Sequence, residues 1–216
     1  AGFRAEYTPP GALVSAVRWT NNEPTDGHVN VTFFGESPDD SQWIAGEYSG
    51  TVDLDPGPAL ALHTVDLFAD HLYVSRFTPA GALQFAETFD LGSVADTGAF
   101  FKAADVDQSG GFVLTGYVDN GKTLDLDPGP GVSPVTGMST YSQNFWTRLD
   151  SAGQLDWLRD FPDQNGPRSL TVLPSGQLLF YYTGVYLPTQ LLDATHPLTV
   201  AGDAPLLIWR QSDGTW

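Results

Sequence analysis

The hexapeptide Asp53-Leu-Asp-Pro-Gly-Pro58 returns as Asp125-Leu-Asp-Pro-Gly-Pro130, and the two copies are offset by 72 residues in a chain of 216. The likeness continues beyond the hexapeptide, because residues 73–85 align without a gap on residues 145–157 at the same offset. Self-similarity at a fixed period of several tens of residues is typical of repeat architectures. The hexapeptide therefore marks a period on which the whole chain is built.

Two further copies extend the repeat toward both ends of the sequence. Residues 3–13 carry the segment at an offset of 70 residues, and residues 207–216 carry a weaker version. Four copies exclude coincidence. Aromatic residues recur where the last strand of each copy is expected, and rings of this size are predicted to fill the space between neighbouring repeats. They are Trp19, Phe89, Trp157 and Phe161.

Each copy has the pattern of a β-hairpin. Residues 145–149 alternate with period 2, as a strand does, and Asp150-Ser-Ala-Gly153 supplies turn formers before residues 154–161 return. A second hairpin is predicted upstream of each hexapeptide or its remnant. Its strand pairs are residues 29–34 with 42–48, 101–107 with 112–117, and 170–173 with 178–182.

Four antiparallel strands in each repeat of about 70 residues predict an all-β fold, a β-propeller built of four-stranded antiparallel blades. A twisted four-stranded sheet cannot bury both faces alone, so neighbouring sheets stack and share a core. The alternative is a β-sandwich, where a long internal repeat is less usual. One propeller region of about three and a half blades is predicted: 1–20 (partial), 29–90, 100–161, and 169–216 (degenerate and incomplete).

The repeat resembles that of a bacterial β-propeller repeat family often called SBBP. The resemblance lies in the order Thr115-Gly-Tyr117, then the hexapeptide, then Phe145-x-x-Arg-Leu-Asp-Ser-Ala-Gly-x-Leu-x-Trp157. It is strong over residues 46–161 and weaker over 169–216, where Leu192-Asp193 is all that remains of the acidic signal. The resemblance implies a propeller fold and an extracellular, cell-surface or periplasmic setting. It implies no particular activity, since propellers carry many functions.

The predicted blades at the two ends are incomplete, which predicts protein partners. Phe3 corresponds to the start of a third strand and Trp216 to an early position of a fourth. An open arc would leave sheet edges and a bare blade face, which natural proteins normally cover. The expected cover is either the rest of a longer chain or other copies of this one, at the terminal blade faces.

The charge balance limits the other partners. With 26 acidic and 9 basic residues the net charge is −17, which repels nucleic acid and anionic membrane surfaces. No apolar run approaches the roughly 18–20 residues of a membrane span, so no membrane insertion is expected. Cysteine is absent from the sequence, which excludes disulfides, thiolate zinc sites and cysteine nucleophiles.

The hexapeptides are the sharpest candidates for metal binding. Asp53 and Asp55, and in the second copy Asp125 and Asp127, offer carboxylate oxygens that could ligate a structural Ca²⁺. The alternative is structural, with each Asp capping a turn through its own side chain and the intervening Leu facing a core. The segment Asp105-Val-Asp-Gln-Ser-Gly-Gly111 also looks metal-like, but its position predicts an ordinary hairpin turn.

No catalytic residue or cofactor site is predicted. Arginine recurs at one third-strand position, where a long side chain at a blade edge is expected and an anion-binding cluster is the alternative. These residues are Arg76, Arg148 and Arg210. Histidines show no ligand spacing and are expected to be surface or hydrogen-bonded residues. They are His28, His63, His71 and His196.

The sequence favours a non-catalytic, extracytoplasmic propeller that acts as a scaffold or protein-interaction module. One alternative is a glycan-binding module, with Trp43 or the group around Tyr181 as a stacking platform. The other is a propeller enzyme of glycosidase or lyase type. Its acids would be sought among glutamates that break the repeat, namely Glu36, Glu47 and Glu87.

Overall fold

The structure is a computed structural model, and it describes residues 3–19, 27–89, 98–138, 142–162, 167–182 and 206–210. Within these ranges all regular structure is β-strand, and the strands pair antiparallel. The prediction of an all-β chain is therefore confirmed for the described residues. No helix that could cross a membrane occurs in this part of the chain.

The strands form one hairpin and three larger sheets. The N-terminal hairpin consists of β1 (Phe3–Tyr7) and β2 (Leu13–Arg18). The next six strands are β3 (His28–Glu36), β4 (Gln42–Ser49), β5 (Thr51–Asp53), β6 (Leu62–Thr64), β7 (His71–Phe77) and β8 (Leu83–Phe89). Sheet I has the order β3-β4-β7-β8, and β5 pairs with β6 in a small ladder of its own.

Sheet II repeats this plan and sheet III repeats part of it. The strands are β9 (Ala99–Val106), β10 (Phe112–Val118), β11 (Thr123–Asp125), β12 (Pro134–Thr136), β13 (Gln143–Leu149) and β14 (Leu155–Pro162). Sheet II has the order β9-β10-β13-β14, beside the small ladder β11-β12. Sheet III joins β15 (Ser169–Val172), β16 (Leu178–Tyr182) and β17 (Leu206–Arg210) in that order.

Sheets I and II share a β-bulge in the first strand and a glycine beside it in the second strand. A residue is inserted in the first strand of each, Thr32 in β3 and Lys102 in β9, which makes a β-bulge. Glycine stands in the second strand beside each bulge. A methyl group on Gly46 would overlap the carbonyl oxygen of Asn30, and one on Gly116 would overlap the corresponding carbonyl of the first strand of sheet II. Glycine is therefore required there by close backbone approach.

The hairpin turns also follow one design. Gly110 and Gly176 have positive φ angles of 80° and 83° in the turns between first and second strands. In sheet I the same turn position is held by Asp40, with a φ of 61°. A non-glycine residue in this region carries strain, so one turn of the repeat departs from its best residue.

Two clusters of buried side chains among the described residues join neighbouring elements of the fold. The first cluster joins sheet I to sheet II and includes Trp43, Phe89 and Phe112. The second joins the N-terminal hairpin to sheet I and includes Trp19. Both Trp19 and Phe89 are buried, as the recurrence of aromatics predicted.

The first strands of the sheets lie side by side. β9 packs against β3 on one side and against β15 on the other. Neighbouring sheets are thus in contact through equivalent strands, and their outer strands, β8 and β14, are the last strands of each unit.

Candidate functional site

The two hexapeptide loops have the same internal hydrogen bonds. Oδ1 of Asp53 accepts the amides of Asp55 at 3.0 Å and Ala61 at 2.9 Å. In the second copy, Oδ1 of Asp125 accepts the amides of Asp127 at 3.0 Å and Ser133 at 2.8 Å. The first carboxylate of each copy therefore closes its loop through the backbone.

The second carboxylate of each loop shapes the Pro-Gly bend. Oδ1 of Asp55 accepts the amide of Gly57 at 2.7 Å, and Oδ1 of Asp127 accepts the amide of Gly129 at 2.8 Å. These are side-chain-closed turns of the kind predicted as the structural alternative. Calcium binding at these carboxylates stays a prediction, which a thermal-shift comparison in calcium and in chelator tests. Among the described residues, no group of three or more His, Cys, Asp or Glu side chains is placed to hold a metal ion.

The leucine between the two carboxylates is buried in both copies. Leu54 belongs to the core between the N-terminal hairpin and sheet I, and Leu126 to the core between sheets I and II. The indole Nε1 of Trp19 donates a hydrogen bond to the carbonyl of Leu54 at 3.2 Å. Each hexapeptide thus anchors its repeat to the preceding one, which explains why the motif recurs without any need for a ligand.

Arg76, the first of the repeated arginines, connects sheet I to sheet II and does not extend into solvent. Arg76 is 7% exposed, and its guanidinium donates to the carbonyl of Ser151 in sheet II. It also pairs with Asp39 at 3.1 Å. The prediction of long side chains at a blade edge is wrong for Arg76, because the next sheet covers it. The side chain of Arg210 is outside the described residues.

Arg148 is held by the turn of its own sheet. Its Nε donates to Oδ2 of Asp107 at 2.6 Å and its Nη2 to the hydroxyl of Ser109 at 2.7 Å, while Nη1 pairs with Asp156. Burial alone would raise the pKa of Asp107, but the hydrogen bonds from Arg148, Ser109 and the amide of Gly111 outweigh it and lower that pKa. The segment predicted to be a turn is one, and its carboxylate pairs with an arginine.

A polar cluster that sequence reasoning missed lies at one end of sheet I. Nδ1 of His28 is 3.0 Å from the hydroxyl of Ser49, and Nε2 is 3.1 Å from Oδ1 of Asp70. The residue types match a nucleophilic triad. However, Ser49 is only 1% exposed, and its hydroxyl also accepts the amide of His28. The arrangement ties β3 to β4 and offers substrate no accessible nucleophile.

The three glutamates that break the repeat have different environments. Burial, reinforced by the nearby charge of Asp70, raises the pKa of Glu47. Burial also raises the pKa of Glu87 on β8, whereas Glu36 is exposed at the end of β3. Raised carboxyl pKa values occur at catalytic sites and at structural ones alike, so this pattern alone assigns no reaction.

An apolar groove lies between the N-terminal hairpin and sheet I. It encloses about 340 Å³ and is lined by Phe3, Ala5, Glu6, Val31, Phe34, Glu36, Gln42 and Ile44. Phe3 is 72% exposed and Phe34 is 51% exposed, although both lie on strands. Further apolar side chains of the hairpin are exposed, namely Tyr7, Leu13 and Val14. Exposed apolar side chains in such numbers are more usual at interaction sites than elsewhere on a protein surface.

Several predicted features lie outside the described residues. They are His196, the remnant Leu192-Asp193, and the last residues Ser212-Asp-Gly-Thr-Trp216. The stacking platform at Trp43 is wrong, because that ring is fully buried between the sheets. Tyr181 is 36% exposed on β16.

Comparison with protein-family models and with curated proteins found no match to this chain.

Proposed function

We propose that the chain is part of a β-propeller that serves as a non-catalytic protein-interaction module. The observation that carries the proposal is the exposed apolar groove beside Phe34. The groove lies where a repeat of this architecture would place the first two strands of the sheet that precedes sheet I.

Support for the propeller comes from the way the sheets follow one another. Sheets I and II have the same strand order, the three strands of sheet III follow the first part of it, and β9 packs against the first strands of both neighbouring sheets. Contact between the first strands of successive sheets is what propeller blades, which have their first strands innermost, would give.

Support for a partner comes from the N-terminal hairpin. By sequence, β1 and β2 correspond to β7 and β8, the third and fourth strands of sheet I. In sheet I the third strand pairs with the second, whereas in the described part of the chain β1 pairs only with β2. In a complete sheet, the edge of β1 is where the second strand would pair. An added pair of strands would satisfy that edge and cover Phe34.

The proposed occupant is a protein segment that supplies two strands, from another copy or from the rest of a longer chain. The resemblance to SBBP repeats supports an extracellular or cell-surface location for such an assembly. Glycan binding remains a separate prediction, which a glycan array tests.

Sedimentation velocity tests the proposal with the variant Phe34→Asp. If other copies cover the groove, the wild-type chain associates and Phe34→Asp remains monomeric. Phe68→Asp is the matched control, because Phe68 is 76% exposed and lies outside the groove. It should associate as the wild type does.

The mass of the native protein decides the remaining case. A native chain much larger than 23.3 kDa would identify the rest of that chain as the occupant. Hydrogen exchange at β1 should then be slow in the native protein. A native protein that sediments as a monomer of 23.3 kDa, with fast exchange at β1, would overturn the proposal.

A further inference from the structure

A cavity of about 590 Å³ lies between sheets II and III. Its inner wall consists of the buried side chains of Val113, Trp157 and Leu178. Polar groups surround it, with Arg148 and its partner Asp107 on the side of sheet II. It opens to solvent beside the exposed residues Gln108, Asp156 and Ser175. An apolar inner wall with fixed polar groups around it is a common form of a small-ligand site.

The equivalent space between sheets I and II is filled by one side chain. Trp43 stacks on Phe112 of sheet II, with ring centroids 5.1 Å apart and planes inclined by 21°. Two further neighbours belong to its own sheet. Phe85 meets it edge-on at 5.4 Å, and the guanidinium of Arg76 lies 5.6 Å from the ring centroid. The indole Nε1 donates to the carbonyl of Gly110 at 3.1 Å.

Val113 occupies the position of Trp43 in sheet II. Trp43 pairs with Arg76 across the second and third strands of sheet I, and Val113 pairs with Arg148 in the same way in sheet II. The cavity therefore lies where an indole ring would project if the repeat had kept its tryptophan. With valine at this position, the space of an indole ring stays unfilled while the surrounding residues are in place.

The other elements of the indole site have counterparts around the cavity, with Leu178 at the position where Phe112 stacks on Trp43. Trp157 pairs with Arg148 as Phe85 pairs with Arg76. The turn containing Gly176 has the same two backbone hydrogen bonds as the turn containing Gly110. The amide of Leu173 donates to the carbonyl of Gln177 at 2.9 Å, and the amide of Gly176 donates to the carbonyl of Leu173 at 2.8 Å. The carbonyl of Gly176 therefore occupies the turn position that the carbonyl of Gly110 occupies in sheet II.

Sheets II and III do not collapse onto the cavity, because large side chains in another part of their interface hold them apart. Trp146 of sheet II stacks on Phe180 of sheet III, with centroids 4.3 Å apart. Asp105 accepts the amide of Val172 at 2.7 Å and so fixes the first strands of the two sheets. At the position of Asp105, sheet I has Gly35, whose Cα faces Val106 closely. Sheets II and III are therefore held in contact away from the cavity.

We infer that this cavity binds an indole ring. The ring lies between Arg148 and Leu178, meets Trp157 edge-on, and donates its N–H to the carbonyl of Gly176. The internal copy at Trp43 defines both the apolar contacts and the one directional hydrogen bond. The inference is independent of the propeller assembly, because it uses only sheets II and III and the comparison with sheet I.

Titration calorimetry with the intact chain tests the inference, with indole and N-acetyltryptophanamide as probes. Indole stands for a free small molecule and N-acetyltryptophanamide for a tryptophan side chain of another protein, so the tighter probe identifies the source. 1-Methylindole lacks the N–H and should bind about tenfold more weakly, since the carbonyl of Gly176 then loses its donor.

Two variants locate the binding site. Val113→Trp supplies the missing ring from within the chain, so it should abolish binding of both probes while unfolding no more easily than the wild type. Trp43→Val should create a second cavity and raise the stoichiometry from one probe to two. Should Trp43→Val fail to fold, the Val113→Trp result still decides.

Three results would overturn the inference. These are no binding of either probe to the wild-type chain, unchanged binding by Val113→Trp, or equal affinity for indole and 1-methylindole. Binding of a β-linked glucose disaccharide in place of indole would assign the cavity to carbohydrate and would likewise overturn it.

Discussion

The interface between sheets I and II and the interface between sheets II and III are built on one backbone plan and packed differently. In the first, Trp43 fills the space near the hairpin turns, and Val74 and Leu114 lie further along the sheets. In the second, the large rings are Trp146 and Phe180, and a cavity remains near the turns. The comparison shows that strand pairing and turn hydrogen bonds are repeated between the sheets, while the positions of the large side chains between the sheets differ from one interface to the next.

The largest expected effect is at Trp43. Trp43→Val should lower the free energy of unfolding by about 3 kcal/mol, because it removes a buried ring and leaves a cavity. Val113→Ala is the matched change in the other interface and should cost about 1 kcal/mol, since that site already borders a cavity. Urea denaturation measures both. Equal losses would contradict the difference in packing.

The bulges test what the two sheets share. Gly46→Ala and Gly116→Ala should each cost about 2 kcal/mol, because the added methyl group overlaps a carbonyl of the first strand. Both losses should be similar, since the bulge is the same in both sheets. Thermal unfolding of the two variants provides the measurement. A variant that unfolds at the wild-type temperature would show that the two bulges are not equivalent.

Acid should weaken the contact between the β9–β10 turn and β13 within sheet II. Asp107 pairs with Arg148, whereas the corresponding turn residue in sheet I is Ser37, which has no charge. The pKa of Asp107 is lowered below 3.8, so its contribution is present above that pH and is lost as the pH falls through the folded value. Asp107→Asn should cost about 1–2 kcal/mol at neutral pH, discounted for partial exposure.

A pH series of urea denaturations of the wild type and Asp107→Asn checks this. The difference between the two proteins should be constant from neutral pH down to about 4 and should shrink below it. Ser37→Ala is the control and should show no such change. A difference that grows on acidification would contradict the assignment.

The smallest expected effect is at a turn. Asp40→Gly should stabilise the chain by at most about 1 kcal/mol, because glycine adopts a positive φ without strain. Gly110→Ala makes the opposite change in the equivalent turn of sheet II and should destabilise by a similar amount. Differential scanning calorimetry resolves both shifts, and a destabilised Asp40→Gly would show that the Asp40 side chain has a role of its own.

Much of this architecture could be predicted from the sequence. The period, the turn glycines and the strand alternation are local signals, and they placed the strands of sheets I and II within one or two residues of their observed ends. The burial of Leu54 and Leu126 was also expected, because the flanking carboxylates were interpreted as turn formers.

The contacts between sheets could not be predicted in the same way. Arg76 looked like a surface residue, since nothing nearby in the sequence shows that Ser151 lies over it. The cluster of His28 with Ser49 and Asp70 joins residues 21 and 42 positions apart, and only the strand register brings them together. The equivalence of Trp43 and Val113 follows from the strand register and not from the 72-residue offset, and its consequence depends on the neighbouring sheet.

The buried leucine of each hexapeptide has a consequence for how the chain unfolds. Leu126 belongs by sequence to the repeat of sheet II, yet it packs into the core that sheet I shares with sheet II. Unfolding of sheet II would therefore expose the face of sheet I that packs against it, including Phe89. The cooperative unit is accordingly not the repeat that the sequence displays but the junction between two repeats, and unfolding should spread from one junction to the next.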